Sequence, residues 1–317
     1  MERKLKVKIA FLYYSIGLTQ DEIARKLNLT RQKVNTVIGN LRNDGIVTVS
    51  IQGLEEAHVD WEKEIEETFG INHVIIAEDY ADPSLSLLKT ASVAAQYLDT
   101  VISAGDTVGV SWGRTLAATI REMRPSRKPD CRVVQLLGTQ SMDEFPMKSD
   151  DIVRALANKL DCPTYMLYAP AIVSRAETRT MLLQENIIRH AFDRMRTCNV
   201  GIFGIGELTE DAPMCKMGFI SKDELRQLRN DGFCADIGMN PVRADGSSGG
   251  SILDDRLLTA GIDCIRNMEK TIAIASGIEK ADAVAAVLRS GCINTLIIDS
   301  SLAKKMINNM NIQEAHK

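Results

Sequence analysis

The chain has 317 residues, 45% of them apolar and 25% charged, with a net charge of −4. That balance is ordinary for a soluble globular protein and excludes a disordered or fibrous chain, and the length suits about two domains, one of them small. No apolar run approaches the roughly 18 residues needed to span a bilayer, the basic start lacks the apolar stretch of a secretory leader, and seven cysteines form no C-x-x-C pair. The expected compartment is therefore the cytoplasm, with reduced thiols, no disulfide framework, no metal centre and no cofactor.

Charge divides the chain. Residues 1–53 carry nine Lys/Arg against four acids, a balance of +5, which leaves −9 for the rest. A small basic head on an acidic body suits contact with a polyanion, although charge alone would fit a solvated surface equally well.

Three helical periods follow in the head. Leu5, Ile9, Leu12 and Tyr13 share one stripe of a helix over about 5–15, which Gly17 stops. Thr19 with Glu22 three residues on is a capping box for a second helix carrying Ile23, Ala24 and Leu27 inward. Asn28 tolerates the left-handed turn, and Thr30 caps a third helix to about Asp44 whose core stripe is Val34, Val37, Ile38 and Leu41. Its outward face then holds Arg31, Gln32, Lys33, Asn35, Thr36 and Asn40, residues able to pair with base edges or phosphates. Ile46 to Ile51 alternates as a short strand and, with Gly53, forms a hairpin of the winged kind. Cap, turn, core stripe and charge agree on a helix-turn-helix that reads double-stranded DNA, against a plain three-helix bundle. Thr30 and Arg42 flank the reading face and join the DNA-binding set.

Residues 54–70 read as an acidic linker helix, with Leu54, Ala57, Trp61, Ile65 and Phe69 at helical spacing. From residue 71 to 317 short apolar runs alternate with helical periods, the pattern of a doubly wound, largely parallel α/β domain. Strands are expected at 74–77, 107–111, 133–137, 164–167, 200–205, 271–275 and 295–298. Helices are expected at 85–102, 115–123, 150–160, 177–195, 221–230, 280–290 and 301–309.

Ligands of such sheets sit beyond the carboxyl ends of strands. The loop Ser111-Trp112-Gly113-Arg114-Thr115-Leu116 follows a strand and opens a helix. Gly113 allows close backbone approach, Arg114 adds a permanent charge, Thr115 a hydroxyl, and the helix start offers N–H groups to an anion. A tight turn with a surface arginine is the plain alternative. Gly138-Thr139-Gln140 and Gly204-Ile205-Gly206-Glu207 could share the rim. The second is not a dinucleotide loop, because Thr209 occupies the third glycine position and Glu-Asp-Ala-Pro follows. Asp236 and Lys280 would together supply a carboxylate for hydroxyls and a cation for an anion, though each alone reads as a satisfied local charge. No Walker loop, zinc spacing or nucleophile elbow occurs.

The head residues Tyr13-Tyr14, Gly17-Leu18-Thr19-Gln20, Glu22-Ile23-Ala24, Leu27, Leu29-Thr30-Arg31 and Gly45-Ile46-Val47 resemble the SorC family of bacterial sugar-operon regulators. So do Gly109 through Thr115, Gly204-Ile205-Gly206, Gly218-Phe219-Ile220-Ser221, Asp236-Ile237, Lys280, Gly291-Cys292-Ile293-Asn294 and Leu296-Ile297 in the body. The resemblance implies a helix-turn-helix joined to an effector domain similar to sugar-phosphate isomerases. It implies effectors that are phosphorylated sugars or polyols, contacted by Gly113, Arg114, Thr115, Leu116, Asp236 and Lys280. The expected function is a regulator of a carbohydrate-catabolism operon, acting as a homodimer or homotetramer without a membrane partner. An isomerase or deaminase with a DNA-binding appendage, using Asp236, Glu207 and Lys280 as acid and base, is the alternative.

Overall fold

The computed structural model describes residues 3–48, 58–139 and 148–315, with side chains to residue 312. The chain divides into two compact units, Met1–Glu56 and Ala57–Lys317.

In the first unit α1 (Arg3–Ala10) runs into one π-helical turn, Phe11–Ser15, and Gly17 reverses the chain at φ +77°. Helix α2 (Gln20–Leu27) starts from the expected capping box: Glu22 N–H donates to Thr19 Oγ1 at 3.3 Å and Thr19 N–H donates to Glu22 Oε2 at 2.8 Å. Asn28 takes the left-handed conformation at φ 52°, and Thr30 Oγ1 accepts from Lys33 N–H at 3.2 Å to begin α3 (Arg31–Asn40). Ile9, Leu12, Ile23, Val34, Val37 and Leu41 close a core of their own. The third helix is shorter than the periodicity predicts. It ends at Asn40, and Asp44 N–H returns to Asn40 O in a turn that Gly45 closes at φ +64°. The Asp44 carboxylate is held by Lys6 Nζ at 2.6 Å, which ties this turn to α1. Ile46 and Val47 both donate N–H to Leu41 O and pack on the core, so residues 46–48 are not a strand. The remainder of the expected wing, Val49 to Gly53, and Leu54 to Ala57 of the expected linker lie outside the described residues.

The second unit contains, in chain order, α4 (Val59–Phe69), β1 (His73–Ala77), α5 (Pro83–Val101), β2 (Thr107–Val110), α6 (Arg114–Glu122), β3 (Arg132–Gln135), α7 (Ser149–Leu160) and β4 (Thr164–Tyr165). There follow α8 (Ala176–Gln184), α9 (Asn186–Met195), β5 (Val200–Glu207), α10 (Pro213–Lys216), α11 (Lys222–Asn230), β6 (Phe233–Ile237) and β7 (Asn240–Arg243). The unit closes with α12 (Ile262–Arg266), β8 (Lys270–Ile274), α13 (Ala281–Arg289), β9 (Thr295–Asp299) and α14 (Ser300–Ala315).

Seven strands form a parallel sheet in the order β1-β9-β8-β5-β2-β3-β4, and β6 and β7 extend it antiparallel from the end of β5. Alternate residues bury on opposite faces. Phe203, Ile205, Ala273, Leu296 and Ile298 pack with α9, α13 and α14 on one side. Val108, Val110, Ile202, Ile272 and Ile297 pack with α5, α6 and α7 on the other. Both faces are therefore covered, which is why the strands read as near-continuous apolar runs and the sheet is doubly wound.

Helix α4 is built into this unit. Ile65 is fully buried in the main core, with Trp61 and Phe69 packed against it. Glu66 Oε1 accepts from Val74 N–H at 2.8 Å and Glu62 Oε1 from Ile76 N–H at 2.9 Å. β1 is an edge strand, and these two carboxylates satisfy N–H groups that would otherwise offer a pairing edge. Burial pushes the Glu62 carboxyl above the usual carboxylate range, against the Ile76 hydrogen bond. The single helix expected over 177–195 is two, because Glu185 is extended at φ −70° and ψ 132°. No helix among the described residues is long and apolar enough to cross a membrane.

Candidate functional site

In the head, α3 carries no acidic residue in its first turn and buries Val34 and Val37. Arg31, Gln32, Lys33, Asn35 and Thr36 are exposed together, with Thr30 at the cap and Arg42 just beyond the helix. Gln20 Nε2 on α2 donates to Asn35 Oδ1 at 3.2 Å, so the two helices present a joined amide pair. Arg31 lies 3.5 Å from Asp21 with both side chains more than half exposed, a pairing worth little in water and readily exchanged for a phosphate.

In the body, β2 and β5 are neighbours whose chains leave in opposite directions, β2 toward β3 and β5 toward β8. This divergence opens a crevice beyond the strand ends. It is a cavity of about 230 Å³ lined by Trp112, Gly113, Arg114, Thr115, Gly206, Glu207, Asp236 and Lys280 among others. A larger hollow of about 590 Å³ past the ends of β8, β9 and β1 shares Arg114, Ser276 and Glu279 with it.

Gly113 caps α6 at φ +132°, and among the described residues a Cβ there would meet nothing within 4 Å. Glycine is needed at that position for the backbone angle, since space is open. Ala117 N–H closes on Gly113 O at 3.0 Å, so the N–H groups of Arg114, Thr115 and Leu116 precede the first intrahelical bond and remain for a ligand. Thr115 is buried at the cavity wall and Arg114 is exposed over both hollows.

Asp236 stands opposite Gly206 in the β5–β6 pairing, and a Cβ on Gly206 would overlap Asp236 Oδ2. Its Oδ1 accepts from Met239 N–H at 3.1 Å. Burial raises its carboxyl to about 6, with the Met239 hydrogen bond and Lys280 pulling the other way. Lys280 Nζ donates to Ile205 O at 3.1 Å. Its ammonium is pushed down by burial and by the Arg114 charge, while Glu279, Glu207 and Asp236 favour it. Burial and Glu279 together raise Glu207. The cavity thus holds two cations that oppose each other beside a carboxyl poised near neutrality.

Not every expected residue meets here. Gly138 and Thr139 do not line this cavity: Gly138 N–H donates to Leu258 O at 3.0 Å and Thr139 N–H to Ala169 O at 2.8 Å. Backbone of Ala169 and Pro170 fills the space beside Gly138, and Thr139 borders a separate hollow with Tyr168 and Phe219. The Leu116 side chain is fully buried in the core, which leaves only its N–H for a ligand. Gln140 lies outside the described residues. Sequence reasoning passed over Ser276, Glu279, Thr209 and the segment Asp211 to Met214, all of which line the cavity. Their signal was position, shortly after the carboxyl ends of β8 and β5.

A family model for the sugar-binding domain matches residues 55–308, and a winged helix-turn-helix DNA-binding model matches residues 17–48. The erythritol catabolism regulatory protein EryD of Brucella abortus is 29% identical over 309 residues, covering 97% of each chain. The deoxyribonucleoside regulator of Bacillus subtilis is 25% identical over 313 residues, covering 98% of this chain and 99% of that one. Among solved structures, the full-length sorbitol operon regulator SorC of Klebsiella pneumoniae shares the fold with a TM-score of 0.74 at 21% identity, over 97% of this chain and 99% of that one. EryD and the deoxyribonucleoside regulator are regulators by name, which favours the regulator over the isomerase or deaminase alternative. The chain belongs to the SorC family of sugar-responsive transcriptional regulators, a DNA-binding helix-turn-helix joined to a sugar-binding domain.

Proposed function

We propose that the chain controls a carbohydrate-catabolism operon through a phosphorylated sugar or polyol bound at the ends of β2, β5 and β8. The observation that carries this is the convergence of Arg114, Thr115, Asp236 and Lys280 on one cavity at a helix start. The first-turn N–H groups of α6 and the Arg114 and Lys280 cations suit a phosphate, and the Asp236 carboxyl suits a hydroxyl. Gly113 and Leu116 contribute backbone to the phosphate cradle. Gly138 and Thr139 are left out of the proposed contact set because Gly138 is packed against the Ala169–Pro170 backbone and Thr139 borders another hollow.

In the head, Arg31, Gln32, Lys33, Asn35 and Thr36 read the major groove, while Thr30 and Arg42 contact phosphates. A homodimer or homotetramer would present two such helices to paired half-sites. The effector alters operator affinity only by binding the DNA-competent and incompetent states unequally, typically by about 1–3 kcal/mol.

The test is thermal stabilisation of the purified chain by a panel of phosphorylated sugars and polyols, each beside its unphosphorylated parent. A true effector at a hundred times its Kd raises the midpoint by roughly 5 °C or more. Lys280→Ala removes that shift while leaving DNA binding intact. Equal stabilisation by a parent compound would dismiss the phosphate, and an undiminished shift in Lys280→Ala would dismiss the cavity.

A further inference from the structure

On the proposed reading that α3 enters the groove, we infer that Gly39 is a positioning residue for base readout, the point at which the helix backbone itself lies against DNA. Gly39 is inside α3, and its φ is not in the left-handed range. The chain reversal after α3 is made by Gly45. Among the described residues, a Cβ built on Gly39 would meet nothing within 4 Å. Neither conformation nor packing among the described head residues requires glycine there, yet glycine inside a helix lowers stability relative to alanine. On this inference the residue serves a partner outside the chain.

Its place on the helix says what. Val34, Val37 and Leu41 mark the buried stripe. At about 100° per residue, Gln32, Thr36 and Gly39 fall on the opposite side, with Gly39 about 20° from Gln32 and about 10 Å further along the axis. Gly39 is thus near the centre of the outward face in the last turn. Around it the side chains lie back on the helix: Thr36 Oγ1 donates to Gln32 O at 2.9 Å and Asn40 Nδ2 to Thr36 O at 3.0 Å. An α-helix with side chains is about 10–12 Å across and the major groove about 12 Å wide, so the fit is tight. A bare last turn lets α3 seat deeply enough for Gln32 and Asn35 to reach base edges.

The experiment uses the full chain and a duplex that the wild-type chain selects from a random pool, with a scrambled duplex of equal length beside it. Gly39→Ala is expected to melt no lower than wild type. It should weaken binding to the selected duplex by roughly tenfold or more, and relax base preference at the positions read by Gln32 and Asn35, while binding the scrambled duplex unchanged. Asn35→Ala is the control for the underlying reading. If Asn35→Ala loses discrimination and Gly39→Ala stays within about twofold of wild type, the inference about Gly39 fails and the reading helix stands. If neither variant alters discrimination, the assignment of α3 falls and takes this inference with it. Equal loss on both duplexes would make Gly39 structural and overturn the proposal as well.

Discussion

Replacing Asp236 by asparagine should stabilise the protein at neutral pH while abolishing its response to effector. The carboxyl is 7% exposed and burial holds it at about 6, above its ordinary value of 3.8. A tenfold change in proton affinity is about 1.4 kcal/mol, so the ionised form costs the fold roughly 3 kcal/mol at neutral pH, an upper figure because buried sites relax. The sign follows from proton binding. Between about pH 4 and 6 the native carboxyl binds more protons than the unfolded one, so this group's contribution to stability falls as pH rises through that window. An amide oxygen can still accept from Met239 N–H, which removes the charge without orphaning the hydrogen bond. Asp236→Asn should therefore match wild type near pH 3, lead it by about 1 kcal/mol at pH 4.5 and gain progressively to about 2–3 kcal/mol by pH 7.5. Urea unfolding at intervals across that range is the assay. A variant less stable than wild type at pH 7.5, with an unchanged pH slope, would refute the argument that burial of the charge dominates the site.

Three other substitutions test the framework around the two sites. Thr19→Ala deletes the capping box of α2 and should cost about 1 kcal/mol, read as earlier melting of operator binding in temperature-dependent anisotropy. Glu66→Ala strands the Val74 N–H on the sheet edge and should cost about 1–3 kcal/mol in urea, whereas Glu66→Gln retains an acceptor and most of the stability. Gly206→Ala drives a methyl into the Asp236 carboxyl, so effector-induced thermal stabilisation should vanish while the far-ultraviolet circular dichroism keeps its helical signal.

The head was legible because its determinants are local. Thr19 and Glu22, Asn28, and Thr30 with Lys33 each act within three residues, and a capping pattern in the sequence becomes a hydrogen bond without help from the rest of the chain. The seven parallel strands were legible for another reason: both faces are covered, so each strand is an uninterrupted apolar run. β6 and β7 gave no such signal. Their hairpin turns at Gly238 and Met239, both with positive φ, and a bulky methionine is not the residue that marks a two-residue turn. Met239 tolerates φ 66° because Asp236 Oδ1 holds its N–H and the Asn240 side chain ties down Ile237 O, Gly238 O and Ala260 O. Only the Ala260 contact is distant in sequence; the others span two or three residues, but an Asp-Ile-Gly-Met-Asn run carries none of the residue pairs that mark a two-residue turn. The same distinction separates Gly113, whose role is set by its own φ, from Gly138, whose neighbours Ala169 and Leu258 come from distant segments.

The hairpin also gives a physical reason for keeping a costly carboxyl beside the cavity. Asp236 serves the turn through Oδ1 and borders the cavity, and the Arg114 charge makes that of the buried Lys280 more expensive. An anionic ligand with a hydroxyl beside it would relieve both the cationic repulsion and the desolvated carboxyl at once. On the proposed reading, binding energy is then realised only when phosphate and hydroxyl are offered together, which favours a phosphorylated polyhydroxy compound over free phosphate or free sugar. Because Asp236 also fixes Met239, any ligand that draws on the carboxyl changes the restraint on a strained turn. The effector would thereby act on β6 and β7 through a single side chain. Free inorganic phosphate stabilising the protein as strongly as a sugar phosphate would show that the carboxyl takes no part, and would remove the turn from the path of the signal.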